Sequence, residues 1–249
     1  MTGSKDIKDN VRKQYARIAL GGNTEDCCMP GECCTTGSVG YTETDLKSIP
    51  ESSILGIGCG APLSFADLRE GETVVDLGSG AGIDVFLASN KVGKVGKVIG
   101  IDMTDEMLER ARKNAREHHY MNVEFRKGDI EKEIPVEPSS ADIVISNCVI
   151  NLTLNKLDAF RQIHRTLKKG ARMVISDLVT DKEVDAQSID NAKWCSCIDG
   201  ALTKEHYINS VRESGFTDVE VVQERLYMDG EQLGGDRQIT SLIIKAVKS

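Results

Sequence analysis

From residue 73 onward, short apolar runs alternate with stretches whose apolar positions recur three and four apart. TVVDL (73–77), KVIGID (97–102), VEFRKGD (123–129), ADIVISNC (141–148) and ARMVISDL (171–178) read as strands. Residues 82–92 and 103–119 read as helices, the second with Thr104 as its N-cap. Residues 156–170 read as a third helix, with Leu157, Phe160, Ile163, His164 and Leu167 on one face and Gly170 at its C-terminal end. Strands alternating with helices over short connections predict a parallel sheet covered on both faces. Beyond residue 200 come a helix at 203–215, ending at Gly215, and two late strands at 219–228 and 238–248. The expected sheet therefore has seven strands and is mostly parallel. Upstream, Ile7, Val11, Tyr15 and Ile18 mark a helix over 6–20. A loop rich in Gly, Thr and Cys follows over 21–40, then a short helix after Pro50 and a Gly-rich turn at 57–62.

With 249 residues the chain is long enough for one large domain, or one with a small appendage, and needs no disulfides to be stable. No stretch approaches the ~20 apolar residues of a membrane helix. The first residues, MTGSKDIKDNVRKQ, lack the apolar segment of a secretion signal. A cytoplasmic protein with no membrane partner is expected. The net charge of −8 argues against a nucleic-acid partner, which needs a basic face.

The first strand runs into Asp76-Leu77-Gly78-Ser79-Gly80-Ala81-Gly82. Glycines there let the backbone turn tightly beside a ligand. Asp102, 24 residues after Gly78, ends the second strand, where an acid can bond the hydroxyls of an adenosine ribose. The spacing is G-x-G-x-G, not the dinucleotide G-x-G-x-x-G. Asp76 would repel a pyrophosphate but suits a cationic amino group. The loop therefore favours S-adenosylmethionine over a dinucleotide.

Eight cysteines are unusual in a chain expected in a reducing compartment. Cys27, Cys28, Cys33 and Cys34 cluster in the N-terminal loop; Cys59, Cys148, Cys195 and Cys197 are spread along the chain. Cys148 ends a strand on the edge that also carries Gly78 and Asp102. Cys59 sits in a turn that can fold over that edge, and Cys197 in the late polar segment. Three thiols can therefore converge. Small apolar core positions are the plainer alternative. The four loop cysteines offer a zinc site or a redox relay.

SNCVINL (146–152), GIGCGAP (56–62), DLGSGAGID (76–84), GIDMT (100–104) and CIDGAL (197–202) together resemble the arsenite S-adenosylmethionine methyltransferases over about residues 5–215. SNCVINL is the specific element; DLGSGAGID alone is not. The resemblance implies a class I, Rossmann-like methyltransferase fold. It implies a cofactor domain with its Cys-rich extension at 1–180, and an arsenic-binding region with the late strands at 181–249. It implies cofactor contacts at Asp76, Gly78, Ser79, Gly80, Gly82, Asp102, Met103, Asp129, Ile130 and Asn147. It implies Cys59, Cys148 and Cys197 as arsenic(III) ligands, and a disulfide between Cys59 and Cys34 or Cys33. Arsenite and methylarsenite would be the substrates. An external thiol reductant, thioredoxin or glutathione, would reset the disulfide. Arsenic(III) held by three thiolates keeps a lone pair, so attack on the methyl group needs no general base.

Plainer readings stand beside several of these. Asn147 can be a strand-end turn residue, Asp129 a solvated acid, and Trp194 core packing rather than a cover for arsenic. Cys195 can be a relay thiol or a spare ligand. His118, His119, His164 and His206 show no metal-ligand spacing. A methyltransferase for another small acceptor, or a metalloid sensor on the same fold, are the competing functions.

Overall fold

The structure is a computed structural model describing residues 3–22, 40–184, 194–233 and 235–249. The cysteines of the N-terminal loop lie outside these residues. Seven strands form one sheet: β1 Thr73–Leu77, β2 Lys97–Asp102, β3 Val123–Lys127, β4 Ala141–Asn147, β5 Leu167–Thr180, β6 Phe216–Met228 and β7 Ile239–Lys248. Their spatial order is β3-β2-β1-β4-β5-β7-β6. The first five strands are parallel, and β7 runs antiparallel between β5 and β6. The expected class I methyltransferase sheet is therefore present.

The helices are α1 Gly3–Ala19, α2 Glu43–Lys47, α3 Ile83–Val92, α4 Asp105–Glu117, α5 Lys156–Thr166, α6 Lys204–Glu213 and α7 Gly230–Leu233. Both faces of the sheet are covered. On β4, Ile143 and Ile145 point into one core with Val85, Phe86 and Leu108, while Val144 points into the other with Phe160, Ile175 and Tyr207. This two-residue alternation with both faces buried is why the strands read as continuous apolar runs. The chain winds from β1 outward to β3, then returns to place β4 on the other side of β1. That reversal opens a crevice at the carboxyl ends of β1 and β4. Among the described residues no helix is long and apolar enough to cross a membrane.

Two expectations need correction. The third predicted helix ends at Thr166, not Gly170. Leu167 is fully buried, pairs with Ala141 and begins β5. The next pairing is Ile143 with Arg172, so residues 168–170 bulge out, with Gly170 at φ 76°. Sheet pairing and burial of Leu167 overrode the helical period. The buried face of α5 is Lys156, Ala159, Phe160, Ile163 and Thr166, while Leu157 and His164 are half-buried. Thr104 occupies the N-cap position of α4, but its side chain makes no capping bond; its N–H donates instead to Asp102 Oδ1 at 2.8 Å. By contrast, the side chains of Asn155 and Thr203 do cap α5 and α6.

Phe160 is fully buried and meets the Tyr207 ring edge-on at 5.5 Å. Phe160→Ala should cost about 3–5 kcal/mol. Urea unfolding should show a lower midpoint with an unchanged slope; a midpoint within error of the parent would contradict this packing.

Candidate active site

The glycine loop leaves β1 and folds across the end of β2. Gly78 and Ser79 both donate their N–H to Ile101 O, at 2.7 and 3.0 Å. Gly80 N–H donates to Asp102 Oδ2 at 2.9 Å. Gly78 has φ 69°, and a Cβ there would lie 2.2 Å from Val149 Cγ2. Only glycine lets this loop lie against the turn that follows β4. The loop floors a cleft of about 1180 Å³. Asp76, Gly78, Ser79, Gly80, Asp102, Met103, Asp129, Ile130 and Asn147 all line it, as does Cys148. Gly82 does not; it starts α3 with φ 99° and sits against Phe86.

The cleft is strongly acidic. Asp76, Asp84 and Asp102 all line it, and Asp76 and Asp84 are almost completely buried. Burial raises the pKa of all three: for Asp76, repulsion from Asp84 and Asp102 adds to it, and Asp84 is pushed up to about 6. Tyr41 Oη donates to Asp84 at 2.9 Å. Ser79 Oγ is buried in the wall of the cleft without a hydrogen-bond partner. An orphaned hydroxyl and clustered carboxylates facing an open cleft fit a ligand with polar groups and positive charge. S-adenosylmethionine, with its ammonium, sulfonium and ribose hydroxyls, has that character. The rim is closed by α1. Lys8 Nζ donates to both carboxylate oxygens of Asp129, at 3.0 and 2.8 Å, and also pairs with Glu131. Burial pushes the Asp129 pKa up, but the Lys8 bond outweighs it and holds the carboxyl below its ordinary value.

Beneath the cleft lie the thiols. Asn147, the last residue of β4, uses its side chain as a staple. Its Oδ1 accepts from Cys59 N–H at 3.2 Å and Gly60 N–H at 3.3 Å, and its Nδ2 donates to Gly60 O at 2.7 Å and Tyr41 Oη at 2.9 Å. This brings the 57–62 turn down onto the sheet edge. Ser241 Oγ donates to Cys59 O at 2.7 Å, and Cys59 Sγ lies 3.5 Å from Ser176 Oγ. A Cβ at Gly60 would lie 2.2 Å from Ser176 Oγ, so the turn can approach this closely only with glycine.

Cys148 follows with φ 59°, and Cys197 has φ 67°. Both are left-handed conformations that non-glycine residues seldom adopt. Cys197 Sγ donates to Cys148 O at 3.0 Å. The neighbouring Cys197 and Cys59 thiols, with burial, push the Cys148 pKa well above its ordinary value. For Cys197 the bond to Cys148 pulls the pKa down, but burial with Asp177 and Cys59 nearby raises it overall. None of these three cysteines is in a disulfide among the described residues. All three cysteines share one packed cluster, and the sulfurs of Cys59 and Cys148 lie within 4.8 Å of each other. Cys195 is buried beside them, and its carbonyl accepts from Tyr15 Oη at 3.3 Å. Trp194 is buried too, with Nε1 donating to Leu152 O at 3.3 Å. The four loop cysteines, Cys33 and Cys34 included, are outside the described residues.

Several site residues escaped the sequence reading. Asp177, on β5, is buried within 4.8 Å of the thiols of Cys59 and Cys148. Its carboxylate accepts from Asn151 N–H and Leu178 N–H, both at 3.0 Å, and from Tyr207 Oη at 3.1 Å. Burial pushes its pKa up to about 7 despite those bonds and the nearby Lys156. Lys156 is itself buried, 5.7 Å from the Trp194 ring centre, and burial lowers its pKa. Tyr41 and Asp84 were missed because Tyr41 is distant in sequence and Asp84 reads as a helix first-turn acid. Asp177 carried one available signal, an acid inside an otherwise apolar strand.

The chain matches known proteins along its length. Residues 68–215 match the sequence model of a methyltransferase domain family. An arsenite methyltransferase of Halobacterium salinarum is 41% identical over 87% of this chain and 59% of that protein. The arsenite methyltransferase of Rattus norvegicus is 31% identical over 98% of this chain and 68% of its own length. The chain belongs to the arsenite methyltransferase family. Among solved structures, an arsenic (III) S-adenosylmethionine methyltransferase from Chlamydomonas reinhardtii superposes with a TM-score of 0.66 at 28% identity. That match covers 94% of this chain and 73% of the algal one. The chain spans about six-tenths of the length of the first curated relatives it matches.

The raised pKa of Asp177 has a consequence for stability. Its folded value of about 7 lies above its ordinary 3.8, so the native state holds this proton more tightly than the unfolded chain does. That contribution is fully present below pH 3.8 and is lost as pH rises through about 7. In Asp177→Asn, stability relative to the parent should therefore improve across this window by a few kcal/mol. Denaturation at several pH values reads the slope; parallel curves for the two proteins would refute the assignment.

Proposed function

We propose that the protein transfers methyl groups from S-adenosylmethionine to arsenic(III) held by Cys59, Cys148 and Cys197. One observation carries the reading: Cys148 belongs at once to the wall of the cleft and to the thiol cluster. A soft atom bound there would face the cofactor. Bound in the cleft, S-adenosylmethionine supplies an electrophilic methyl group. Asp76 and Asp84 offer negative charge to its ammonium, Asp102 holds the ribose end, and Asp129 and Ile130 flank the adenine.

The raised pKa values of Cys148 and Cys197 favour thiols over thiolates at rest, which arsenite tolerates. Each As–OH bond exchanged for As–S takes up one thiol proton and releases one water, so no separate base is needed. Three neutral thiols thereby become a neutral three-coordinate arsenic with a lone pair. The geometry of the cluster is set before substrate arrives, by the Asn147 staple and the two left-handed cysteine turns. Preorganisation of this kind lowers the barrier by removing orientational search. The burial of the cluster keeps water from the site.

Methyl transfer raises arsenic to the pentavalent state. Return to the trivalent state takes two electrons, which two thiols supply by forming a disulfide. We assign that pair to Cys59 with Cys33 or Cys34, reset by an external dithiol of the thioredoxin type or by glutathione. Residues 1–180 would hold the cofactor and residues 181–249 would supply the arsenic-side thiol Cys197. A reducing, cytoplasmic setting suits such a cycle.

The test is anaerobic incubation of the reduced protein with arsenite, labelled S-adenosylmethionine and a dithiol, followed by separation of the arsenic species. Labelled methylarsenicals are expected. Cys148→Ser and Cys197→Ser should each abolish product while Cys197→Ser keeps cofactor affinity; turnover in both would sink the three-thiolate acceptor. Asp102→Ala should weaken cofactor binding at least about tenfold, the loss expected for a charge-assisted hydrogen bond. A tight one-to-one arsenite complex without product would indicate a sensor. No arsenite binding would point to another acceptor.

A further inference from the structure

The thiol cluster contains more donors than arsenic requires. One carboxylate oxygen of Asp177 and the sulfurs of Cys59 and Cys148 all lie within 4.8 Å of one another. Beside them the Cys197 thiol donates to the Cys148 carbonyl at 3.0 Å. A pyramidal arsenic(III) is complete with three thiolates and leaves the carboxylate without a task. A tetrahedral divalent cation is complete with four donors and accepts carboxylate oxygen alongside thiolate. We propose that this site also binds a thiophilic divalent cation of the zinc type, through Cys59, Cys148 and Asp177 with a water in the fourth position, in place of arsenic.

Three observations support the assignment. First, the spacing is close to what is needed. Zinc–sulfur bonds of about 2.3 Å in a tetrahedron put sulfurs about 3.7 Å apart, so Cys59, Cys148 and Asp177 need to draw in by only about 1 Å. Second, Asp177 is oriented as ligating carboxylates are. Two backbone N–H groups and the Tyr207 hydroxyl hold it, and such outer bonds fix ligand geometry in metal sites. Third, charge balances. With Lys156 protonated, the thiolates of Cys59 and Cys148 and the Asp177 carboxylate leave a net −2, which a divalent cation neutralises. On binding, the protons of Cys59 and Cys148 pass to the buffer and no electron moves. The cation site rests on the donor geometry; its competition with arsenite rests on the function proposed above.

The experiment uses the full chain with Cys27, Cys28, Cys33 and Cys34 changed to Ser, because those four could themselves hold zinc. Cobalt(II) is the optical probe, added anaerobically to the reduced protein. One cobalt per chain is expected, with thiolate-to-cobalt charge transfer and the intense visible bands of tetrahedral cobalt. Asp177→Asn should weaken cobalt binding at least tenfold, with circular dichroism checking the fold. X-ray absorption of the zinc-loaded protein gives a readout independent of that variant: sulfur and at least one oxygen or nitrogen donor are expected. One equivalent of arsenite should remove the cobalt bands. No cobalt bands, unchanged affinity in folded Asp177→Asn, a sulfur-only shell, or cobalt and arsenite bound together would each overturn the proposal. Cobalt binding in a protein that neither binds nor methylates arsenite would support the cation site and overturn the methyltransferase reading.

Discussion

Asn147, Cys148 and Val149 tie the cofactor cleft to the thiol cluster, and the rest of the site depends on how they leave β4. Asn147 pulls the 57–62 turn onto the sheet edge through three side-chain bonds and donates a further one to Tyr41 Oη. Cys148 turns left-handed, so that its thiol neighbours those of Cys59 and Cys197 while it still lines the cleft. Val149 fills the space that Gly78 leaves by having no side chain. The turn is anchored from below as well, since Cys148 N–H donates to Ser176 O at 2.8 Å and Asn151 N–H to the Asp177 carboxylate. A left-handed non-glycine residue is unfavourable by itself and persists only where the surroundings over-determine it. Here they do, from β1, β5 and the 57–62 turn at once.

The electrostatics follow from the same crowding. Buried carboxylates line the cleft, and a further one lies beside the thiols. Each is raised in pKa chiefly by burial. Burying these carboxylates costs stability that their hydrogen bonds offset only in part. A cationic ligand in the cleft and a soft electrophile among the thiols would relieve that cost. Ligand binding and stability are in this way linked through the same residues.

The N-terminal helix is part of the site. Lys8 bridges to Asp129 and Glu131 across the rim, Val11 and Tyr15 line the cleft, and Tyr15 reaches the Cys195 carbonyl. The helix thus spans from the Asp129 end of the cleft to the thiol end. Its apolar face, Ile7, Val11 and Tyr15, packs in the same cluster as Cys59, Trp194 and Cys197.

The sequence alone determined the sheet. Apolar runs and helical periods located all seven strands, and the central parallel ones, buried on both faces, are written in nearly continuous apolar residues. Gly78, Asp102 and Cys148 were legible as neighbours for the same reason: the ends of successive parallel strands share one edge. The family was legible in SNCVINL and GIGCGAP, whose residues make the staple and the turn it holds. What only the tertiary structure decided was everything joined across long separations. Asn147 stapling Cys59, Lys8 on Asp129, Tyr41 on Asp84 and Asp177 beside the thiols join residues between 43 and 121 positions apart, or elements that periodicity treats separately. The end of α5 belongs to the same class. Leu167 fits the helical period, yet its burial in the sheet exceeded the gain from one more helical turn, and local pattern carries no term for that competition.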